Sequence, residues 1–432
     1  MSWDFSTDPE YQKLLDWADG FVRDEVEPLD LAFPDRHFER PDPQLHAVID
    51  PLKQQVRDRG LWATHLDPEL GGQGHGQLKL ALLNEILGRS NWAPVIFGTQ
   101  APDTGNAEIL ARFGTPEQKA RFLQPLLDGD IFSSYSMTEP HGGADPKGFT
   151  TRAWRDGEQW VIDGEKYFSS NARYAEFLIV MAVTDPDVSP YQGMSMFLVP
   201  TDTPGIEIVR NVGTMWEPMD DGDHAWIRYH EVRIPADHLL GEEGRGFAVA
   251  QARLGGGRIH HAMRTVARCR QAFDMMCERA LSRETQGSRL GDKQLVQEAI
   301  AESWAQITQF RLMVLYTAWL IDQNTTEGVR KEIAACKFEA ARILVDVVYR
   351  AMHVHGALGV SNELPLARMW MYAPQMGVTD GPTEVHKITL ARQVLKDYTP
   401  APGPFPTQWL PPRIEEARAR YASALEHHLG NS

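Results

Sequence analysis

The chain has 432 residues, enough for about three domains of ordinary size, and 42% apolar and 9% aromatic residues can fill a large core. A formal net charge of −16 argues against a nucleic-acid-binding surface and against a polybasic membrane anchor. The longest apolar run of note, 177–183, suits a buried strand and is too short to span a bilayer. Met1-Ser2-Trp3-Asp4-Phe5 has neither a basic nor an apolar leader segment, so no secretory signal is expected. Cys269, Cys277 and Cys336 match no disulfide or metal spacing, and a reducing, cytoplasmic setting is the expectation.

Residues 1–130 read as helical. Asp8 is placed to cap a helix carrying Tyr11, Leu14, Leu15 and Trp17. A Pro-rich link (Pro34 to Pro43) precedes a helix from about Leu45 to Arg59 that stops at Gly60. Leu78, Leu80, Leu83, Ile86 and Leu87 mark another, and Ala107 to Phe113 a fourth, closed by Gly114. Thr115-Pro116-Glu117-Gln118 then has a Thr cap, Pro at the first helical position and an acid in the first turn.

From 131 to 240 the period becomes two. Thr150 to Trp154 and Trp160 to Ile162 flank Arg155-Asp156-Gly157-Glu158, and Asp-Gly between alternating runs predicts a hairpin. Phe177 to Val183, Ser195 to Val199, Ile206 to Val209 and Ala225 to Ile234 are further strands. In the last, Trp226, Arg228, His230 and Val232 are expected on one face, opposite Ile227, Tyr229 and Ile234. Six or more short strands predict a small barrel or sandwich.

From 241 to 398 helical periodicity returns. Val296, Ile300, Trp304, Ile307, Val314 and Ala318 form one stripe; Ile333, Ala340, Leu344, Val347 and Ala351 form another. The residues between are not all polar, which predicts a bundle that also faces another subunit, a homodimer or homotetramer. Residues 399–432 read as a Pro-rich linker and a short charged helix near Arg413 to His428. The class predicted is α+β, mostly α: a helical domain, a small β-domain and a four-helix bundle.

Three places invite chemistry. Tyr135-Ser136-Met137-Thr138-Glu139-Pro140-His141-Gly142-Gly143-Ala144-Asp145 runs from a strand into a glycine turn. With Thr138 it could hold the polar edge of a flavin or a pyrophosphate, or be an ordinary strand exit. Asp380 precedes Gly381-Pro382 and a helix with Val385, Ile388 and Leu395; it reads as a helix cap or as a base. The cluster Asp220-Asp221-Gly222-Asp223-His224 lacks the spacing of a calcium loop and reads as a solvated turn, so no metal site is expected. Glu139 and Asp145 are expected to shape their loop, and His260 and His261, about 100° apart on a helix, to be structural.

Taken with this domain order, six stretches resemble the acyl-CoA dehydrogenase family over roughly residues 10–398. They are Thr115-Pro116-Glu117-Gln118-Lys119 with Leu126-Leu127-Asp128-Gly129; Tyr135 to Pro140 with Gly143-Ala144-Asp145; Gly164-Glu165-Lys166-Tyr167-Phe168-Ser169-Ser170-Asn171; Arg283-Glu284-Thr285-Gln286-Gly287; His353-Val354-His355-Gly356-Ala357-Leu358-Gly359; and Asp380-Gly381-Pro382-Thr383-Glu384. The resemblance implies FAD, held by Tyr135, Met137, Thr138, Gly143, Ala144, Tyr167 and Ser169. It also implies a neighbouring subunit's Arg283 and Gln286, and His353, Gly356, Ala357, Pro382 and Glu384, near that cofactor. Ala144 stands where many members have a hydroxyl residue, and Gln286 where Phe is common. Asp380 stands where most members carry Glu. That Asp, with Arg253-Leu254-Gly255-Gly256-Gly257-Arg258-Ile259-His260-His261, resembles a subgroup of which some members are fused to a kinase-like domain; no such fusion is read in this chain.

The activity implied is α,β-dehydrogenation of an acyl-CoA to the trans-2-enoyl thioester, as in fatty-acid β-oxidation. Asp380 would be the base, Arg258 a charge beside it, and an electron-transfer flavoprotein the acceptor. Removing two hydrogens at adjacent carbons needs a base for the α-proton and a hydride acceptor that no side chain can be. A dry, substrate-filled pocket should raise the Asp380 pKa toward working pH. An oxidase of the nitroalkane-oxidase or acyl-CoA-oxidase kind, and a non-catalytic scaffold, are the alternatives.

Overall fold

The computed structural model describes residues 7–37, 39–324 and 328–429; the opening pentapeptide lies outside them. Helix α1 (Pro9–Phe21) starts where the Asp8 carboxylate accepts the Tyr11 N–H at 2.9 Å, and it turns Tyr11, Leu15, Ala18 and Phe21 inward. Helix α2 (Pro43–Asp58) is capped in the same way by Asp42 on Leu45 N–H and buries Leu45, Ile49, Leu52 and Val56. Helices α3 (Gln77–Leu87) and α4 (Asp103–Phe113) follow. The start of α4 is a full turn earlier than apolar spacing shows, because its first turn buries polar groups. The Asp103 carboxylate accepts both the N–H and the hydroxyl of Ser133. Thr115 and Gln118 close a reciprocal capping box at the next helical turn.

The expected small barrel or sandwich takes the form of one curled sheet. Its strands are β1 (Ser133–Ser136), β2 (Arg152–Asp156), β3 (Gln159–Ser170), β4 (Phe177–Val183), β5 (Met194–Pro200), β6 (Ile206–Val212) and β7 (His224–Pro235). The order is β1-β4-β2-β3-β7-β6, with β5 on the other edge of β4; β1 runs parallel to β4. The Asp-Gly hairpin forms as read, Asp156 facing Gln159 across Gly157 at φ +62°. Strand β7 departs from strict alternation. Glu231 sits at φ +46° and the register against β3 slips there, so Val232 turns to the buried side with Ile227, Tyr229 and Ile234.

Helix α5 (Gly246–Ser282) leads into a two-stranded hairpin, β8 (Glu284–Thr285) and β9 (Ser288–Arg289). Helices α6 (Gln294–Gln323), α7 (Arg330–His355), α8 (Leu366–Met376) and α9 (Thr383–Leu395) complete the bundle. The α7 stripe read from sequence is buried throughout. On α6 the stripe is fully buried from Ile307 onward, Ile300 packs partly buried against the same core, and Trp304 is the departure. Trp304 is 56% exposed, because the inward face runs through Ser303, Ile307, Phe310, Val314 and Ala318, and a strict spacing of four drifts off it. With the turn after it, α7 is long and apolar enough to cross a bilayer, yet it packs against α5, α6 and α8. The chain divides after Leu390 into a second unit. In it, α10 (Leu410–Arg420) and α11 (Ala422–Leu429) replace the single tail helix expected, and Phe405 stacks on Trp409 with centroids 4.0 Å apart.

Gly164 marks where β3 bends. It lies at φ +140°, and a Cβ there would stand 2.7 Å from the Thr151 Cα. Gly164→Ala combines a forbidden backbone region with a clash against main chain. Loss of about 2–4 kcal/mol in urea unfolding is expected; Gly157→Ala, in open space, should cost less.

Candidate active site

The site is organised by the glycine run in α5. Arg253, Gly257 and His261 are four apart and share one face of the helix, with Arg258 next to it. A Cβ on Gly256 would stand 2.5 Å from Glu108 Oε2, and one on Gly257 would stand 3.0 Å from Asp380 Oδ2. Bare backbone therefore lets two carboxylates close onto adjacent positions of one helix. The second of them, Asp380, lies between α8 and α9 at φ +54°, a left-handed conformation that Asp tolerates better than most residues.

Several contacts hold Asp380 there. Arg258 Nε donates to its carbonyl oxygen at 2.9 Å, and His386 Nε2 is 3.3 Å from the same atom. His261 Nε2 is 3.3 Å from Oδ2, and Arg253 Nη1 is 3.9 Å from Oδ1. Burial pushes the carboxyl up, but His261, Arg253 and Arg258 outweigh it and hold the group well below the ordinary Asp range. The rise expected from sequence concerns a substrate-filled pocket; the neighbours named here set the direction for the carboxyl without substrate. Lys337 on α7 also feels the carboxylate. Burial pulls its ammonium down to about 8, and it donates to the Met376 carbonyl at the end of α8.

A hydrogen-bonded wall joins this centre to the β-domain. The Arg253 guanidinium lies 3.9 Å over the Tyr135 ring, and its Nε donates to Asn106 Oδ1 at 2.8 Å. Asn106 in turn donates to the Ser133 hydroxyl, which Asp103 fixes. Burial raises the Tyr135 phenol to about 12, so it stays a neutral ring under the cation. Burial likewise raises Glu108, to about 7, against the pull of Arg112.

The two loops expected to meet a cofactor lie side by side. Tyr167 N–H donates to the Thr138 carbonyl at 2.8 Å. Beneath them the Lys166 ammonium, fully buried, bonds both the Met137 carbonyl and Glu139 Oε1 at 2.8 Å. Glu139 also accepts the Thr150 and Thr151 N–H groups, so it braces the loop, as read. Tyr167, Phe168 and Trp226 form an aromatic shelf, with centroids 4.4 and 5.8 Å from Tyr167, and Phe168 is 46% exposed. Beside it, a Cβ on Gly143 would meet only Thr138 Cγ2, at 3.8 Å, so the backbone there is open to approach.

Of the residues named from sequence, Tyr135, Arg258 and Asp380 come together, and Met137, Thr138 and Tyr167 adjoin one another. The Ser169 hydroxyl is buried at 2.8 Å from Ser136 Oγ, next to Phe168 at φ +57°. Ala144 and Glu384 are exposed, and Pro382 lies between Asp380 and α9. Arg283 precedes the exposed β8–β9 hairpin and Gln286 sits in its turn; His353, Gly356 and Ala357 are exposed at the end of α7. Among the described residues no hydrogen bond joins these five to the Asp380 centre. Arg173 pairs with Asp221 and Asp223 of the acidic turn. Sequence reasoning missed Arg253, His261 and Lys337. The spacing of Arg253, Gly257 and His261 was the available signal, and reading His261 together with His260 hid it. His260 is buried and held neutral, as a structural residue is.

Comparison with known proteins agrees with this architecture from residue 8 to residue 395. The models for the acyl-CoA dehydrogenase N-terminal, middle and C-terminal domains match residues 8–130, 134–229 and 244–395. The Mycobacterium tuberculosis protein named "Probable acyl-CoA dehydrogenase FadE2" is 45% identical over 353 residues, 81% of this chain and 86% of that one. Acyl-CoA dehydrogenase family member 11 of Rattus norvegicus is 39% identical over 81% of this chain, which spans 45% of the rat protein's length. Butyryl-CoA dehydrogenase from Megasphaera elsdenii has the same fold, with a TM-score of 0.77, 26% identity and coverage of 91% of this chain and 100% of that one.

The ion pair under the two loops generates a stability prediction. Lys166→Met leaves Glu139 ionised, buried and unpaired, and should cost about 3–5 kcal/mol in urea unfolding. Adding Glu139→Gln removes the orphan charge and should return part of that loss. A single variant as stable as wild type would show that the pair does not brace the loops.

Proposed function

This chain belongs to the acyl-CoA dehydrogenase family, and on that premise we propose that it dehydrogenates an acyl-CoA thioester between its α and β carbons, with Asp380 as base and FAD as cofactor. The observation that carries the reading is the Asp380 carboxylate: inside the fold, held toward its ionised form, with Arg258 bonding its main chain and His261 and Arg253 set against its two oxygens. A residue that merely capped α9 would need none of them.

The residues around the two loops fit FAD. The cluster of Tyr167, Phe168 and Trp226, its rings packed edge to face, offers apolar surface partly open to solvent for a ring system. Thr138 and the open backbone at Gly143 offer polar contacts at its edge. When bound, FAD supplies the hydride acceptor that no side chain provides. The chain's own part is to place the base. Asp380 takes the α-proton; Arg258 fixes the Asp380 main chain; Arg253, stacked on Tyr135, keeps the carboxylate ionised and so ready to accept a proton. An electron-transfer flavoprotein is the acceptor that suits this chemistry, and Arg283 and Gln286 stand free to meet the cofactor of a second copy. A homodimer or homotetramer in the cytoplasm completes the reading.

Asp380→Asn should keep fold and bound flavin while slowing anaerobic flavin reduction by an acyl-CoA by several orders of magnitude, because the near-isosteric amide lacks a basic lone pair. Were Asp380 only a cap, Asn would serve as well and the rate would barely move. A carboxyl held below its ordinary value stays ionised as pH falls. The wild-type rate of reduction at limiting substrate should therefore show no acid loss from this residue between about pH 5 and 8. Fast peroxide formation, or reduction by nitroalkanes and by no acyl-CoA, would place the chain with the oxidases instead.

A further inference from the structure

We propose that His261 is the positioning residue of the Asp380 carboxylate, holding Oδ2 against α5 so that Oδ1 is the oxygen presented to the substrate's α-carbon. The inference rests on the reading of Asp380 as base.

The two oxygens of this carboxylate have different surroundings. Oδ2 faces the helix, with His261 Nε2 at 3.3 Å and, one turn earlier, the bare backbone of Gly257, where a Cβ would be only 3.0 Å away. Oδ1 has as its nearest cation Arg253 Nη1 at 3.9 Å, beyond hydrogen-bond reach. Arg258 gives its hydrogen bond to the carbonyl oxygen and acts on the carboxylate through its charge alone. Among the described residues, His261 is thus the one side chain within hydrogen-bond distance of the carboxylate. The torsion that orients an Asp carboxylate is broad and roughly two-fold. Fixing one oxygen is what gives the lone pairs of the other a direction, and a base must meet its C–H bond in line.

The same contact governs the charge of the base. The groups facing Asp380 are Arg253, Arg258 and His261 from α5, Tyr135 from β1, Lys337 from α7 and His386 from α9, with His260 behind. Burial works against the carboxylate, and His261 is the nearest group opposing it. Without the imidazole, burial gains, and the carboxyl moves up.

The test compares His261→Leu, which removes the donor, with His261→Gln, whose side-chain N–H reaches a similar position. Both are made as FAD-bound protein and mixed anaerobically with an acyl-CoA that reduces the wild type. Leu should slow flavin reduction at saturating substrate roughly 10- to 100-fold and leave KM within about twofold, as expected when only transition-state geometry is lost. Its acid edge should lie at higher pH than that of the wild type. Gln should recover most of the rate. Independently of turnover, the protonated-carboxyl infrared band that Asp380→Asn removes should appear at higher pH in Leu than in wild type. A Leu variant with the wild-type rate and acid edge, a Gln variant no better than Leu, or a loss confined to flavin content and melting temperature would overturn the assignment. If Asp380→Asn itself still reduces its flavin, the base reading fails first; if that variant is inactive and His261→Leu is not, only the positioning role falls.

Discussion

Everything at this site depends on keeping a negative charge inside protein. An isolated carboxylate removed from water would neutralise itself by taking up a proton. Here it does not, because α5 brings Arg253, Arg258 and His261 to one side of Asp380 while α7 brings Lys337 to another. The charges cost desolvation in their turn, as the depressed Lys337 shows, so the cluster is stable only as a set. The cluster therefore depends on how these helices pack: α5 supplies three of its members and α7 one, and a shift of either would unbalance the rest. The β-domain repeats the solution in miniature. Lys166 and Glu139 are both removed from water and satisfied by each other and by main chain.

The two devices stand on different frames. The Lys166 pair joins strand to loop within one sheet, where register already fixes the partners. The Asp380 cluster joins residues more than 120 positions apart in sequence, Arg258 and Asp380 among them. The link between the frames is the run of polar contacts from Asp103 through Ser133 and Asn106 to Arg253. It passes from α4 through β1 to α5, so the position of the base is tied to the position of the loops beside it.

Much of this was legible in the sequence, for stated reasons. Helix α7 was read correctly because one apolar stripe persists over its whole length, and the Asp-Gly hairpin because its turn chemistry is local. The loops and Asp380 were found as motifs. What escaped were features that depend on a partner distant in sequence. The first turn of α4 looks polar until Ser133 is placed opposite it. Trp304 looks like core until the drift of its stripe is followed in three dimensions. Val232 looks exposed until a backbone irregularity at Glu231 reverses the alternation. His261 looks like half of a structural pair until Asp380 arrives from the far end of the chain. Composition could announce that a carboxylate would be buried; only the fold could say which cations would receive it.

The run of glycines in α5 carries one further implication. Hydrogen at position 257 and an aspartate at 380 occupy a single small volume between helix and loop, with 3.0 Å separating a notional Cβ from the acid's oxygen. Extending the acid to glutamate adds a bond of about 1.5 Å, which is half of that clearance. The shorter acid and the missing side chain are therefore two readings of the same measurement. Whatever length one position gains, the other has already surrendered, and neither can be exchanged on its own without moving the helix or turning the acid away.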